Sequence, residues 1–162
     1  MVLADRIADG MKELRKCNTP FETFELGRAI GERLRAGDAV LLHGGLGAGK
    51  TLLTKGMMDA LGYDVDEVTS PSFALVNLYK ANDLHVYHID LWRIDTGSDA
   101  AFGVGLGEIV EDPNAIVIIE WAEKLGPFRF PSRVFNINIE GDGYEPRSIM
   151  IAASEQSSKS SI

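Results

Sequence analysis

The octapeptide Gly44-Gly45-Leu46-Gly47-Ala48-Gly49-Lys50-Thr51 constrains this chain more than any other feature. It has the form G-x-x-x-x-G-K-[ST], a loop whose backbone cradles phosphate. The loop requires a strand before it and a helix after it. Ala39-Val40-Leu41-Leu42-His43 is an apolar run that fits the strand, and Lys50 to Leu61 reads as the helix. Glycines let the backbone turn tightly and aim successive N–H groups at one anion. The helix N-terminus adds its positive dipole end. The candidate nucleotide-contacting residues are therefore Gly45, Leu46, Gly47, Ala48, Gly49, Lys50, Thr51 and Leu52. Lys50 is expected to reach the β- and γ-phosphates, and Thr51 to offer its hydroxyl to Mg²⁺.

Composition narrows the class. With 162 residues, 45% of them hydrophobic, the chain suits one domain with its own core. A net charge of −8 argues against direct grip on a nucleic acid, which rests on neutralising phosphates. Cys17 is the only cysteine, which excludes an intrachain disulfide. No apolar run approaches the roughly 20 residues that cross a bilayer, and the N-terminus has no signal-peptide stretch. These features favour a cytoplasmic protein that does not engage a membrane. The expected organisation is a single domain over 1–162, with an N-terminal extension over 1–18 and a Ser-rich disordered tail over 154–162.

Along the chain, Met1 to Lys16 is charged and reads either as a short helix or as an extension. Thr19-Pro20-Phe21-Glu22 opens a helix: Thr19 caps, Pro20 suits the first turn and Glu22 reaches back. Leu26, Ala29, Ile30 and Leu34 form its apolar stripe, with Gly37-Asp38 as the stop. Leu52, Leu53, Met57 and Leu61 give the second helix its buried side, and Gly62 ends it. Phe73–Tyr79 and Leu84–Ile89, joined by Asn82-Asp83, read as an antiparallel hairpin. Thr96 to Gly107 reads as irregular or as a lid. Ala115–Ile119 is continuously apolar, as in a parallel strand buried on both faces. A short helix is expected from Trp121 to Leu125. Val134–Ile139 and Ser148–Ala152 read as further strands around a Gly141-Asp142-Gly143 turn. The pattern predicts a three-layer α/β phosphate-loop fold, with a mostly parallel sheet and an attached antiparallel hairpin.

Hydrolysis needs more than a cradle: a metal held opposite it and a group that places water. Glu120, directly after the Ala115–Ile119 run, is the expected second contact to the metal shell, together with Thr51. Asp90 is the candidate for orienting water, and with Lys50 and Glu120 it makes up the candidate catalytic set. His88, two residues before Asp90, projects to the same face and either braces it or is structural. His85 points the other way and reads as structural. Arg93 is left between a phosphate contact, a hold on Asp90 and solvent. Thr69-Ser70-Pro71-Ser72-Phe73 sets three hydroxyls beside a proline, a pattern suited to sensing a γ-phosphate or simply to joining helix and strand. Trp121 stacks near the nucleotide or packs in the core.

In this order, several segments resemble the bacterial tRNA threonylcarbamoyladenosine biosynthesis ATPase family, TsaE. They are Leu26-Gly27, the Gly44–Thr51 loop, Thr69-Ser70-Pro71-Ser72-Phe73 with Leu75-Val76-Asn77, His88-Ile89-Asp90-Leu91-Trp92-Arg93, and Glu120-Trp121-Ala122-Glu123. The likeness spans roughly Thr23 to Ile139. It implies a small ATPase using ATP and Mg²⁺, in which Lys50 and Thr51 bind phosphate and metal, Glu120 binds metal and Asp90 is needed for hydrolysis. The serine-proline segment resembles the family's switch. The implied partners are a threonylcarbamoyl transferase and its inactive paralogue, with tRNA met only indirectly. The chain departs from the family's usual residues at Gly45, Leu52, Ser72 and Trp92. Two other classes stay open: a small-molecule kinase with Arg129 and Arg133 as lid arginines, and a non-catalytic nucleotide-sensing adaptor. A regulatory GTPase would carry an Asn-Lys-x-Asp segment, which the sequence lacks.

Overall fold

The computed structural model describes residues 12–71, 73–95, 99–141 and 146–155. Its strands are β1 (Lys12–Cys17), β2 (Ala39–His43), β3 (Val76–Ala81), β4 (Leu84–Asp90), β5 (Ala115–Glu120), β6 (Arg133–Glu140) and β7 (Arg147–Glu155). Its helices are α1 (Pro20–Gly31), α2 (Lys50–Ala60), α3 (Ala100–Gly103) and α4 (Leu106–Ile109), with 3-10 turns at Val65–Glu67 and Ala122–Lys124.

The seven strands form one sheet in the order β1-β7-β6-β2-β5-β4-β3. β6, β2, β5 and β4 are parallel neighbours. β1/β7, β7/β6 and β3/β4 are antiparallel. The sheet is therefore evenly mixed, a parallel block with antiparallel flanks, where the sequence pattern predicts a mostly parallel one. For β3/β4 and β6/β7 the difference comes from short connections, which fold a strand back beside its predecessor and cannot carry a crossover; β1 is added at the edge, antiparallel to β7. The hairpin expected at Asn82-Asp83 is present as β3/β4, with Asn82 at φ 55, a conformation asparagine tolerates.

Strand alternation divides the core into two apolar clusters on opposite faces of the sheet. Val40, Leu42, Ile116 and Ile118 pack with Leu26, Ile30, Leu53 and Met57 of α1 and α2. Val117 and Ile119 pack on the other side with Leu106, Ala122 and Phe130. All six residues of β5 are buried, as its unbroken apolar run predicts.

The start of α1 and the end of α2 follow the sequence closely, whereas α1 stops at Gly31, short of the expected stop at Gly37-Asp38. The Glu22 amide donates to Thr19 Oγ1 at 3.1 Å, and Glu22 Oε1 accepts from the Asn18 amide at 2.7 Å, one residue further back than a capping box reaches. α1 ends at Gly31, and Arg33 and Leu34 then close tighter turns onto Ile30 and Gly31. α2 ends in a Schellman motif: Gly62 at φ 86 donates to Asp59 O, and Tyr63 donates to Met58 O, each at 3.0 Å.

Three expectations need correction. Lys12–Cys17 is the edge strand β1, where Lys12 and Lys16 are exposed and the less exposed Glu13 and Arg15 pair with each other. The stretch read as irregular or a lid contains α3 and α4, started by Asp99 accepting from the Phe102 amide and by Gly105 at φ 72, and anchored by buried Ala100 and Leu106. Residues 154 and 155 belong to β7 rather than to a tail. Residues 1–11, Ser72, 96–98, the 142–145 part of the glycine turn and the Gln156–Ile162 segment lie outside the described residues.

Candidate functional site

The parallel block positions the site. β2, β4 and β5 end side by side, so that Glu120 is opposite both Leu42 and Asp90 in the ladders. The glycine-rich loop leaves β2 at this same end. Crevices beyond the carboxyl ends of parallel strands are where ligands of α/β sheets bind. Here the crevice is a cleft of about 330 Å³ lined by loop residues 46–52, Ser70, Asp90, Trp92, Glu120 and Trp121.

Gly47 at φ 78 and Gly49 at φ 110 give the loop turns that a side chain would strain. Gly49 also begins α2 without a side-chain cap, so the first amides of that helix open towards the cleft. Lys50 is folded back over the loop. Its ammonium donates to Gly44 O and Gly45 O at 2.7 Å each and lies 4.1 Å from the Trp121 ring centroid. Burial holds Lys50 below the usual lysine range, while Glu120, Glu123 and Asp90 pull in the opposite direction.

Thr51 Oγ1 donates to both oxygens of Glu120, at 3.1 and 3.2 Å. The ring N–H at His88 Nε2 donates to Glu120 Oε2 at 2.6 Å. Asp90 accepts from Ser70 Oγ at 2.9 Å and from the Trp92 amide at 2.8 Å. The donors facing the cleft are thus a hydroxyl and two carboxylates, an all-oxygen set. Among the described residues no cluster of three or more His, Cys, Asp or Glu could hold a metal alone. This fits a hard cation that shares its shell with phosphate and water.

Four of the residues singled out from sequence fall in one place. Lys50, Thr51, Asp90 and Glu120 surround the cleft. His88 shares the face of Asp90, as strand alternation requires, and braces Glu120. His85 points away, within 2.7 Å of Asp112. Arg93 places its guanidinium 4.3 Å over the Phe73 ring. Trp121, at φ 59, is half-buried and packs on Trp92 with centroids 4.6 Å apart, so it lines the cleft with one side and rests on the core with the other. Arg133 lies at the opposite end of the sheet, bound to Asp38 at 2.6 Å and to the Arg33 carbonyl at 2.8 Å. It cannot act as a lid arginine. Three contacts had no sequence signal: Ser70 on Asp90, Arg147 donating to Gly47 O at 3.1 Å, and Tyr79 behind His88. Each depends on strand register, which no local motif encodes.

A family model described as "Threonylcarbamoyl adenosine biosynthesis protein TsaE" matches residues 17–149. Curated proteins named tRNA threonylcarbamoyladenosine biosynthesis protein TsaE are similar over much of the chain. The Nostoc sp. protein is 37% identical over 116 residues, 71% of this chain and 70% of the relative. That of Rickettsia conorii is 30% identical over 147 residues, covering 90% and 82%. That of Mycobacterium tuberculosis is 35% identical over 126 residues, covering 74% and 73%. Among solved structures, Bacillus subtilus YdiB superposes with a TM-score of 0.68 at 27% identity, over 89% of this chain and 86% of that one.

Proposed function

The chain belongs to the TsaE family, and from that membership and the geometry of the cleft we propose a phosphate-loop ATPase that supports threonylcarbamoyladenosine modification of tRNA. The observation that carries the proposal is convergence. Lys50 and Thr51, at the start of α2, face Glu120 and Asp90, at the ends of β5 and β4, across one cleft. In this reading residues 45–52 bind the nucleotide. The backbone amides and the Lys50 ammonium take the phosphates. Thr51 and Glu120 hold Mg²⁺. An ion held there would supply positive charge against the charge that builds up during transfer. Asp90, fixed by Ser70 and the Trp92 amide, accepts a hydrogen bond from the attacking water and orients it. Trp92 and Trp121 wall the cleft against bulk solvent.

The partners in this reading are a threonylcarbamoyl transferase and its inactive paralogue, and the protein works in the cytoplasm without touching a membrane. Among the described residues no helix is long and apolar enough to cross a bilayer. The position of Arg133 weighs against the kinase alternative. The test is phosphate release from ATP by the purified chain, with and without the transferase pair and with Mg²⁺ or EDTA. Release that needs Mg²⁺ and rises with the pair is the expected result. Binding without turnover under every condition leaves the adaptor, and transfer only to an added metabolite leaves the kinase.

A further inference from the structure

Behind the cleft lies a ring of hydrogen bonds that the phosphate chemistry does not itself require. His88 is fully buried and Tyr79 is 4% exposed. While Nε2 of His88 meets Glu120, its Nδ1 lies 3.2 Å from the Tyr79 hydroxyl. That hydroxyl has one proton for two acceptors, His88 Nδ1 and the Thr69 carbonyl at 3.0 Å, and its oxygen accepts from the Thr69 amide at 3.3 Å, so it bridges His88 and Thr69. Asn77 Nδ2 donates to the same carbonyl and to the same hydroxyl, each at 3.3 Å. One residue on, Ser70 donates to Asp90, and Asp90 stands opposite Glu120 in the β4/β5 ladder. The ring thus runs Glu120, His88, Tyr79, Thr69, Ser70, Asp90 and back across the sheet.

Two buried side chains could be satisfied by any nearby polar atoms. Here His88 is spent on Glu120 and Tyr79, and Tyr79 on the backbone of Thr69, which belongs to no helix or strand. The two carboxylates are consequently tied by separate routes to one dipeptide. His88 is enclosed in a packed interior with no room to slide, so a displacement of the Glu120 carboxylate must pass to Tyr79 or break a bond. Resting on the reading of Glu120 as the magnesium-side carboxylate, we propose that Tyr79 is a positioning residue. Through His88 it couples the seating of Glu120 to the position of the Thr69–Ser70 segment, and hence to Asp90. The segment and both carboxylates then shift as a unit.

The Thr69 amide, itself bonded to Tyr79, is the reporter. Its hydrogen exchange is measured in the full chain without nucleotide, for Glu120→Gln, Tyr79→Phe and the double variant. Loss of one such bond should speed exchange about 3- to 10-fold in each single variant. Glu120→Gln should add nothing in the Tyr79→Phe background, the non-additivity expected of one network. Exchange at Thr69 that ignores Glu120→Gln, or that rises equally in both backgrounds, overturns the coupling. Tyr79→Phe keeps the ring that packs on Tyr63 with centroids 4.9 Å apart. If that variant still fails to fold, His88→Gln is the second break: it keeps a donor towards Glu120, loses the nitrogen facing Tyr79, and should likewise make Thr69 blind to Glu120→Gln. This arm holds whether or not the chain hydrolyses ATP, so a failed ATPase reading and a failed coupling look different. Where turnover is measured, Tyr79→Phe should lower kcat about 10-fold with KM for ATP nearly unchanged. A change confined to KM counts against the positioning role.

Discussion

Lys50 is the residue whose energetics are most informative. The residue is 5% exposed, and its ammonium is held by two loop carbonyls and an aromatic face. Burial lowers its pKa in the fold, so the charged form is less favourable there than in the unfolded chain. That penalty applies below the folded pKa and fades as pH rises towards the unfolded value near 10.4. A bound polyanion would reverse its sign. Lys50→Met should therefore weaken ATP binding by about 10- to 100-fold, the range of a charge-assisted hydrogen bond, as read by calorimetry. The melting temperature of the nucleotide-free variant should not fall, and any gain over the wild type should shrink as pH rises towards the unfolded value near about 10.4. Asp90→Asn, by contrast, should keep ATP and lose turnover by about 100-fold or more, because water positioning rather than phosphate binding is removed. Single-turnover kinetics beside a binding isotherm separates the two effects. Lys50, Thr51, Glu120 and Asp90 are legible in the sequence because each sits in or directly beside an unmistakable local pattern. Tyr79 is not, because its role exists only once β3 pairs with β4 and the Thr69 loop closes over both.

The glycines of α1 and α2 act at the scale of elements. A Cβ on Gly27 would come within 2.3 Å of the Leu53 carbonyl oxygen, and one on Gly56 within 2.2 Å of the Phe24 carbonyl oxygen. Neither obstacle is a flexible side chain, so the helices would have to separate. Leu26-Gly27 and Gly56 thus set how closely α2 docks on α1, and the first turn of α2 carries Lys50 and Thr51. Gly56→Ala should destabilise the protein by about 1–3 kcal/mol through overpacking, despite alanine's better helix propensity. It should also weaken ATP binding, because the N-terminus of α2 moves with the helix. Chemical denaturation and a binding isotherm on the same variant test both effects, and a stability loss without an affinity change would unlink the helix contact from the cleft. The helices themselves are readable from caps and stops, since Thr19, Pro20 and Gly62 act locally. β1 is not, because an edge strand with one solvated face carries no apolar run. Nor are α3 and α4, whose glycines mask single turns held by tertiary burial.

At the scale of the molecule, the parallel block has two ends with different tasks. Its carboxyl end gathers the cleft. Its amino end is pinned by buried and half-buried polar contacts: Asp38 with Arg133, and Asp112 with His85 at 2.7 Å and Tyr87 at 2.9 Å. Strand order has no local signature, yet the sheet explains why residues as distant in sequence as Arg133 and Asp38 meet: β6 and β2 begin side by side. The amino-end pin gives stability a pH dependence separable from activity. The hydrogen bond from His85, and then that from the Asn114 amide, hold Asp112 below the usual carboxylate range. A carboxylate with a depressed folded pKa favours the fold above its unfolded value, near 3.9, and that contribution is lost as pH falls through the lower folded value. Asp112→Asn removes the charge while keeping most of the shape. The wild type should therefore melt above Asp112→Asn at neutral pH, with the gap closing below about pH 4. ATP affinity at neutral pH should be the same in both, because Asp112 lies at the end of the sheet away from the cleft. Parallel melting curves across the acid range, without convergence, would remove Asp112 from the account of stability, and an affinity loss at neutral pH would mean that the two ends of the sheet are not independent.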